Sequence, residues 1–166
     1  MSMCEIRESR KKIAAWILHA AVLFWAAFIF FFSLQNASAS KDQSGGLLAF
    51  LQQFGFSFLT EHALRKIGHF TEFFVFGALL YAAAASARRA GILRPLRAGY
   101  PLVMLLVPVC DETLQYFSEG RSPEVKDVWL DFTGALAGAA AVLLLILLCG
   151  AIRRAAQNRN GEETKR

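Results

Sequence analysis

Four long apolar stretches decide what this chain can be. They run from Ile13 to Phe32, Ile67 to Ala87, Ala98 to Phe117 and Asp127 to Cys149, and each approaches the roughly 20 residues that carry a helix across a bilayer. The expected fold is all-α: a polytopic membrane helix bundle with four transmembrane helices and one extracytoplasmic interfacial helix. Composition agrees, since 55% of residues are hydrophobic, 15 are Phe and the mean hydropathy is +0.40, more apolar than a soluble domain needs. Three cysteines without paired or His-rich spacing speak against a disulfide framework or a zinc site.

Taken in order, residues 1–12 form a basic tail with Arg7, Arg10, Lys11 and Lys12, residues 13–149 the membrane domain, and residues 150–166 a polar tail expected to be disordered. The first apolar run is too long for an ordinary signal peptide and ends without a clean small-residue cleavage site, so it reads as a retained span. Residues 36–46, rich in Ser, Ala, Gly and Asn, read as a loop. Beyond them Leu47, Leu48, Leu51, Phe54 and Phe58 recur at helical spacing among Gln52, Gln53 and Ser57. That stretch is too polar to span and suits an interfacial helix. Thr60 before Glu61 is a plausible cap for the next helix. Pro108 should kink the third span, because proline lacks the amide and clashes with the preceding turn.

Lys and Arg cluster at the N-terminal tail, between Arg88 and Arg97, and after Arg153. The positive-inside rule places both termini and the middle loop in the cytoplasm of a cell-membrane protein. The net charge of +5 is thus a topology signal, and no nucleic-acid partner is expected.

Charges inside the apolar runs are the informative exception, because ionisable groups at membrane depth are costly and need partners. Arg65, His69, Glu72 and Phe76 fall on one helical face. With the topology above, Lys66, His69, Glu72, Asp111, Glu112, Gln115, Asp127 and Asp131 all lie near the outer boundary, with Arg121 in the loop above them. Asp111 and Gln115 share a face while Glu112 points about 100° away, so both acids face the interior only if Pro108 bends the helix or the pair brackets that interior. The plain alternative is that these groups pair only to fix helix register. Buried ion pairs, however, are a poor source of stability. Gly134 and Gly138 form a small-xxx-small face suited to close packing. His19 and the Phe-rich runs read as packing or lipid-facing surface.

Lys66-Ile-Gly-His69-Phe-Thr-Glu72 with Gly77, then Asp111-Glu112-Thr-Leu-Gln115, then Arg121, Asp127, Gly134 and Gly138, resemble the pattern of VanZ-like membrane proteins. The Ser33-Leu-Gln35 end of the first span also fits, while Asp131 stands where that family more often has Asn. The resemblance implies a bacterial cell-envelope role. The family takes its name from a protein associated with low-level resistance to teicoplanin, an antibiotic acting outside the membrane. The first expectation is an outward-facing polar pocket that binds a lipid head group or a glycolipid precursor, with no cofactor or metal. Lys66 and Arg121 would meet its anionic groups, and Gln115 and the acids its hydroxyls. The alternative is an intramembrane enzyme on a lipid-linked substrate, with His69 as base and Glu72, Asp111 and Glu112 as acid–base groups or metal ligands. No nucleophile motif or HExxH supports it.

Overall fold

A computed structural model describes residues 2–35, 37–92, 99–118 and 124–163 of the chain. The described residues hold five α-helices and no strand: α1 Met3–Ser33, α2 Ala37–Gln53, α3 Glu61–Ala90, α4 Gly99–Tyr116 and α5 Val125–Glu163. Among them α1, α3 and residues Val125–Asn160 of α5 are long and apolar enough to cross a membrane. The fourth expected span, α4, is diluted by its own Asp111, Glu112 and Gln115. At 1.5 Å of rise its 18 residues reach about 27 Å, close to the hydrocarbon thickness.

Helix ends follow local chemistry. Ser2 and Glu5 close a reciprocal capping box, with Glu5 N–H donating to Ser2 Oγ at 3.3 Å and Ser2 N–H to Glu5 Oε2 at 2.6 Å. The basic N-terminal tail is therefore the first turns of α1. Thr60 caps α3 as its sequence suggests, accepting from Ala63 N–H at 3.2 Å. Gly91, in the left-handed region at φ +68°, ends that helix just after Arg88 and Arg89, whose charges suit its C-terminal dipole.

Three stretches depart from the sequence reading. The interfacial helix expected to include Phe54 and Phe58 ends at Gln53, where Gly55 at φ +92° turns the chain. Residues 37–46 are the first part of α2, not a loop; with three serines and two glycines against two alanines, local propensity does not explain this helix. The C-terminal tail continues α5 to Glu163, because helix-forming Arg, Ala and Gln follow Gly150 without an intervening proline.

The packing order sets the site. Lys66 meets Asp127 and His69 lies against Asp131, while the backbone at Phe70 and Phe74 meets Gly134 and Gly138. Partners thus advance together along α3 and α5, and the two helices run parallel. His19 meets Tyr100 and Ser33 meets Asp111, so α1 and α4 also run parallel. Since α3 and α5 begin at the same end, α4 returns the chain from one end of the bundle to the other.

The close approach of α3 and α5 depends on missing side chains. A Cβ on Gly77 would strike the Ala135 carbonyl, and one on Gly138 the Phe74 carbonyl. At Gly134 it would stand 2.7 Å from the Phe70 carbonyl oxygen. Around this seam the core is Val22, Ile29, Phe73, Phe76, Leu80, Ala83, Met104, Ala135 and Ala139. Without a hydrophobic gain between helices in lipid, tight van der Waals packing of this kind holds them together. Leu143, Leu144, Leu145, Leu147 and Leu148 of α5 face outward, as a lipid-contacting surface requires.

His19 is half-buried and serves packing at the opposite end from the acids. Its Nδ1 lies 2.7 Å from the Ala15 carbonyl, which can only accept, so Nδ1 carries the proton. Nε2, 2.9 Å from the Tyr100 hydroxyl, then accepts from it.

Candidate functional site

The end of the bundle where α3 and α5 begin holds a buried polar cluster drawn from four helices. Asp111 and Asp131 are wholly inaccessible, and Glu112, Gln115, Ser33 and Ser118 are buried. From α3 come His69 and Glu72, both half-buried. Ligand atoms of His69, Asp111 and Asp131, one residue from each of α3, α4 and α5, lie within 4.8 Å of one another.

Each acid is held differently. Asp111 accepts from Ser33 Oγ at 2.5 Å and from Gln115 Nε2 at 3.1 Å. The Gln115 contact is the i, i+4 pairing of one helical face. Ser118 Oγ donates to the Ser33 carbonyl at 2.9 Å, tying the ends of α1 and α4 together. Glu112 turns the other way, its Oε1 accepting from Glu124 N–H at 2.5 Å just ahead of α5. A carboxylate there sits at the positive end of the helix dipole. The two acids therefore bracket the interior, Asp111 toward α1 and Glu112 toward the start of α5. Asp131 differs again: neither of its oxygens makes a hydrogen bond among the described residues, and its nearest ionic neighbour is His69 Nδ1 at 3.9 Å.

Lys66 and Asp127 form an ion pair at 2.7 Å, half-buried on both sides. This joins α3 to α5. Arg121 lies outside the described residues.

Beside the cluster a cavity of about 490 Å³ opens between α1, α2 and α3. Trp25, Phe32, Leu47, Ile67 and Val75 supply its apolar wall; Ser33, Gln35, Arg65, His69 and Glu72 supply its polar groups. Trp25 Nε1–H donates to the Glu72 carbonyl at 2.9 Å, fixing the indole in that wall. The structure thus brings His69, Glu72, Asp111, Glu112, Gln115 and Asp131 to one end and sets Lys66 with Asp127 at its edge. Ser33, Gln35, Trp25 and Arg65 take part in the site but were not among the expected site residues. Ser33 and Gln35 had a visible signal, as polar residues closing an apolar run. Arg65 had one too, on the face shared with His69 and Glu72. Trp25, inside a uniformly apolar run, had none.

Long apolar helices packed around a buried acid-and-histidine cluster define a helical membrane protein. Residues 18–148 match the VanZ/LLP1 family model, and the chain belongs to that family. No curated protein and no solved structure matches it.

Proposed function

We infer that this VanZ-family protein crosses the cytoplasmic membrane four times with both termini inside, and that its polar end faces outward to bind an anionic lipid or glycolipid of the cell envelope. The observation that carries this reading is the cavity of about 490 Å³ beside the cluster, within the usual range for small-molecule sites. Its apolar wall suits an acyl chain, and Arg65, exposed at the mouth, suits a phosphate or carboxylate head group. Gln35, His69 and Glu72 supply hydrogen bonds for hydroxyls. Lys66 is partly offset by Asp127, so Arg65 takes the leading electrostatic role. In the alternative reading, an intramembrane enzyme, the convergence of His69, Asp111 and Asp131 would provide acid–base groups for a lipid-linked substrate.

Native mass spectrometry of the protein extracted in mild detergent tests the binding reading. Wild type should retain an anionic lipid that Arg65→Ala loses by about tenfold, the effect of one lost charge-assisted contact. Identical lipid profiles for the two proteins would remove the basis for it.

A further inference from the structure

We propose that a second lipid site lies at the opposite end of the bundle, where the gap between α3 and α4 holds an acyl chain of an anionic phospholipid with its phosphate on Arg88. A cavity of about 350 Å³ opens there, at the lower end of the usual range for small-molecule sites. Ala84 and Ala87 line its α3 side, and Pro101 and Met104 its α4 side. The space has a simple origin in the sequence. Against α5, helix α3 closes through Gly77, Gly134 and Gly138, where backbone meets backbone. Against α4 it has no such glycine seam, and the short methyls of its alanine run leave room between the helices.

Shape and polarity select a lipid over a soluble anion. The cavity reaches from Arg88 back to Leu80, eight residues or about 12 Å along α3. Its inner end is wholly apolar, with Leu80, Met104 and Leu136, which a hydrated ion gains nothing by entering. Arg88 is exposed in the last turn of α3, at the level where a span leaves the membrane. Its stem can lie along the apolar wall while the guanidinium stays among head groups. Tyr81 and Tyr100 also line the cavity, and tyrosine is favoured at such membrane boundaries. The Tyr100 hydroxyl donates to His19 Nε2 at 2.9 Å, which fixes that ring in place.

Charge supplies the second, independent argument. No Asp or Glu occurs between Glu72 and Asp111, nor between Asp131 and Glu162. The three helices that line the cavity therefore bring no acid to its walls. Arg88 and Arg89 stand at this end, and Arg94 and Arg97 follow in the chain before α4. Basic pockets between spans are suited to anionic head groups, and guanidinium matches phosphate through paired hydrogen bonds. A helix-capping role alone would treat Arg88 and Arg89 alike, yet only Arg88 lines the cavity.

Which leaflet the lipid occupies rests on the orientation inferred above; the binding itself does not. The test uses full-length protein carrying Arg65→Ala, so that loss at the outer cavity cannot be mistaken for loss here. Delipidated in detergent and titrated with phosphatidylglycerol, it should retain one lipid by native mass spectrometry. Adding Arg88→Gln should weaken that binding about tenfold, the effect of one lost charge-assisted contact. Arg89→Gln, a neighbouring exposed charge outside the cavity, should leave it unchanged. Ala84→Leu should fill the space and weaken binding at least tenfold without lowering the melting temperature. Phosphatidylcholine should bind at least tenfold more weakly, and glycerol phosphate, a head group without chains, should not compete at equal concentration. Because Arg88 is exposed, its variant keeps the test valid even if Ala84→Leu folds poorly. Equal loss in Arg88→Gln and Arg89→Gln, or no loss in either, would overturn the site. So would equal binding of phosphatidylcholine, competition by glycerol phosphate, or a well-folded Ala84→Leu that retains the lipid.

Discussion

Gly138→Val is expected to unfold the bundle at a markedly lower temperature than wild type. A Cβ at position 138 collides with the Phe74 carbonyl and lies 2.9 Å from the Ala78 nitrogen. Both obstacles are backbone, so no rotamer change relieves them, and α3 must move away from α5. That movement loosens Phe73, Phe76 and Ala135, all wholly buried at this seam, and pulls Lys66 from Asp127. The cost should reach about 3 kcal/mol, the upper part of the usual range for overpacking. Gly68 is the control, because a Cβ there meets nothing within 4 Å. Gly68→Ala, in the facing helix α3, should be neutral or slightly stabilising. Thermal melts of the two variants in detergent check this, and equal melting temperatures would mean the helices are not in tight contact at Gly138.

The second large effect belongs to Asp111→Ala. Removing the carboxylate leaves the Ser33 hydroxyl and the Gln115 amide, both buried, without the acceptor each now uses. At about 1–3 kcal/mol for each stranded group, the loss should be on the order of 2–6 kcal/mol. Asp111→Asn should behave differently. A hydroxyl can turn to accept and a glutamine amide can flip, so both bonds can be re-formed around the new side chain. Asn should therefore recover more than half of the lost stability in the same melts. If Ala and Asn variants melt together, the carboxylate's hydrogen bonds are not what holds α1 to α4.

How much of this was legible in the sequence depends on whether a signal was local. Helical spans show as long apolar runs, and Thr60 shows as a cap, because neighbouring residues decide both. The gathering of His69, Glu72, Asp111 and Asp131 could be anticipated because membrane topology turns sequence position into depth. Depth alone does not choose partners. Lys66 had several acids available, and the parallel register of α3 and α5 selects Asp127. The divergence of Asp111 and Glu112 left two geometries open, and their separate contacts to Ser33 and Glu124 select the bracketing one. Least legible were Trp25, whose role arises only where α1 crosses α3, and residues 37–46, where loop-favouring serines and glycines outnumber the alanines.

The central claim is that the cluster and its cavity face the outside of the cell. The direct measurement uses a variant whose native Cys4, Cys110 and Cys149, all exposed, are replaced by serine or alanine, with a single new cysteine introduced through Arg65→Cys at the cavity mouth. In intact cells a membrane-impermeant maleimide should label that site, while a cysteine introduced through Arg154→Cys should react only after the membrane is opened. Labelling of Arg154→Cys in intact cells, with Arg65→Cys protected until permeabilisation, would contradict the outward orientation and the envelope-binding function built on it.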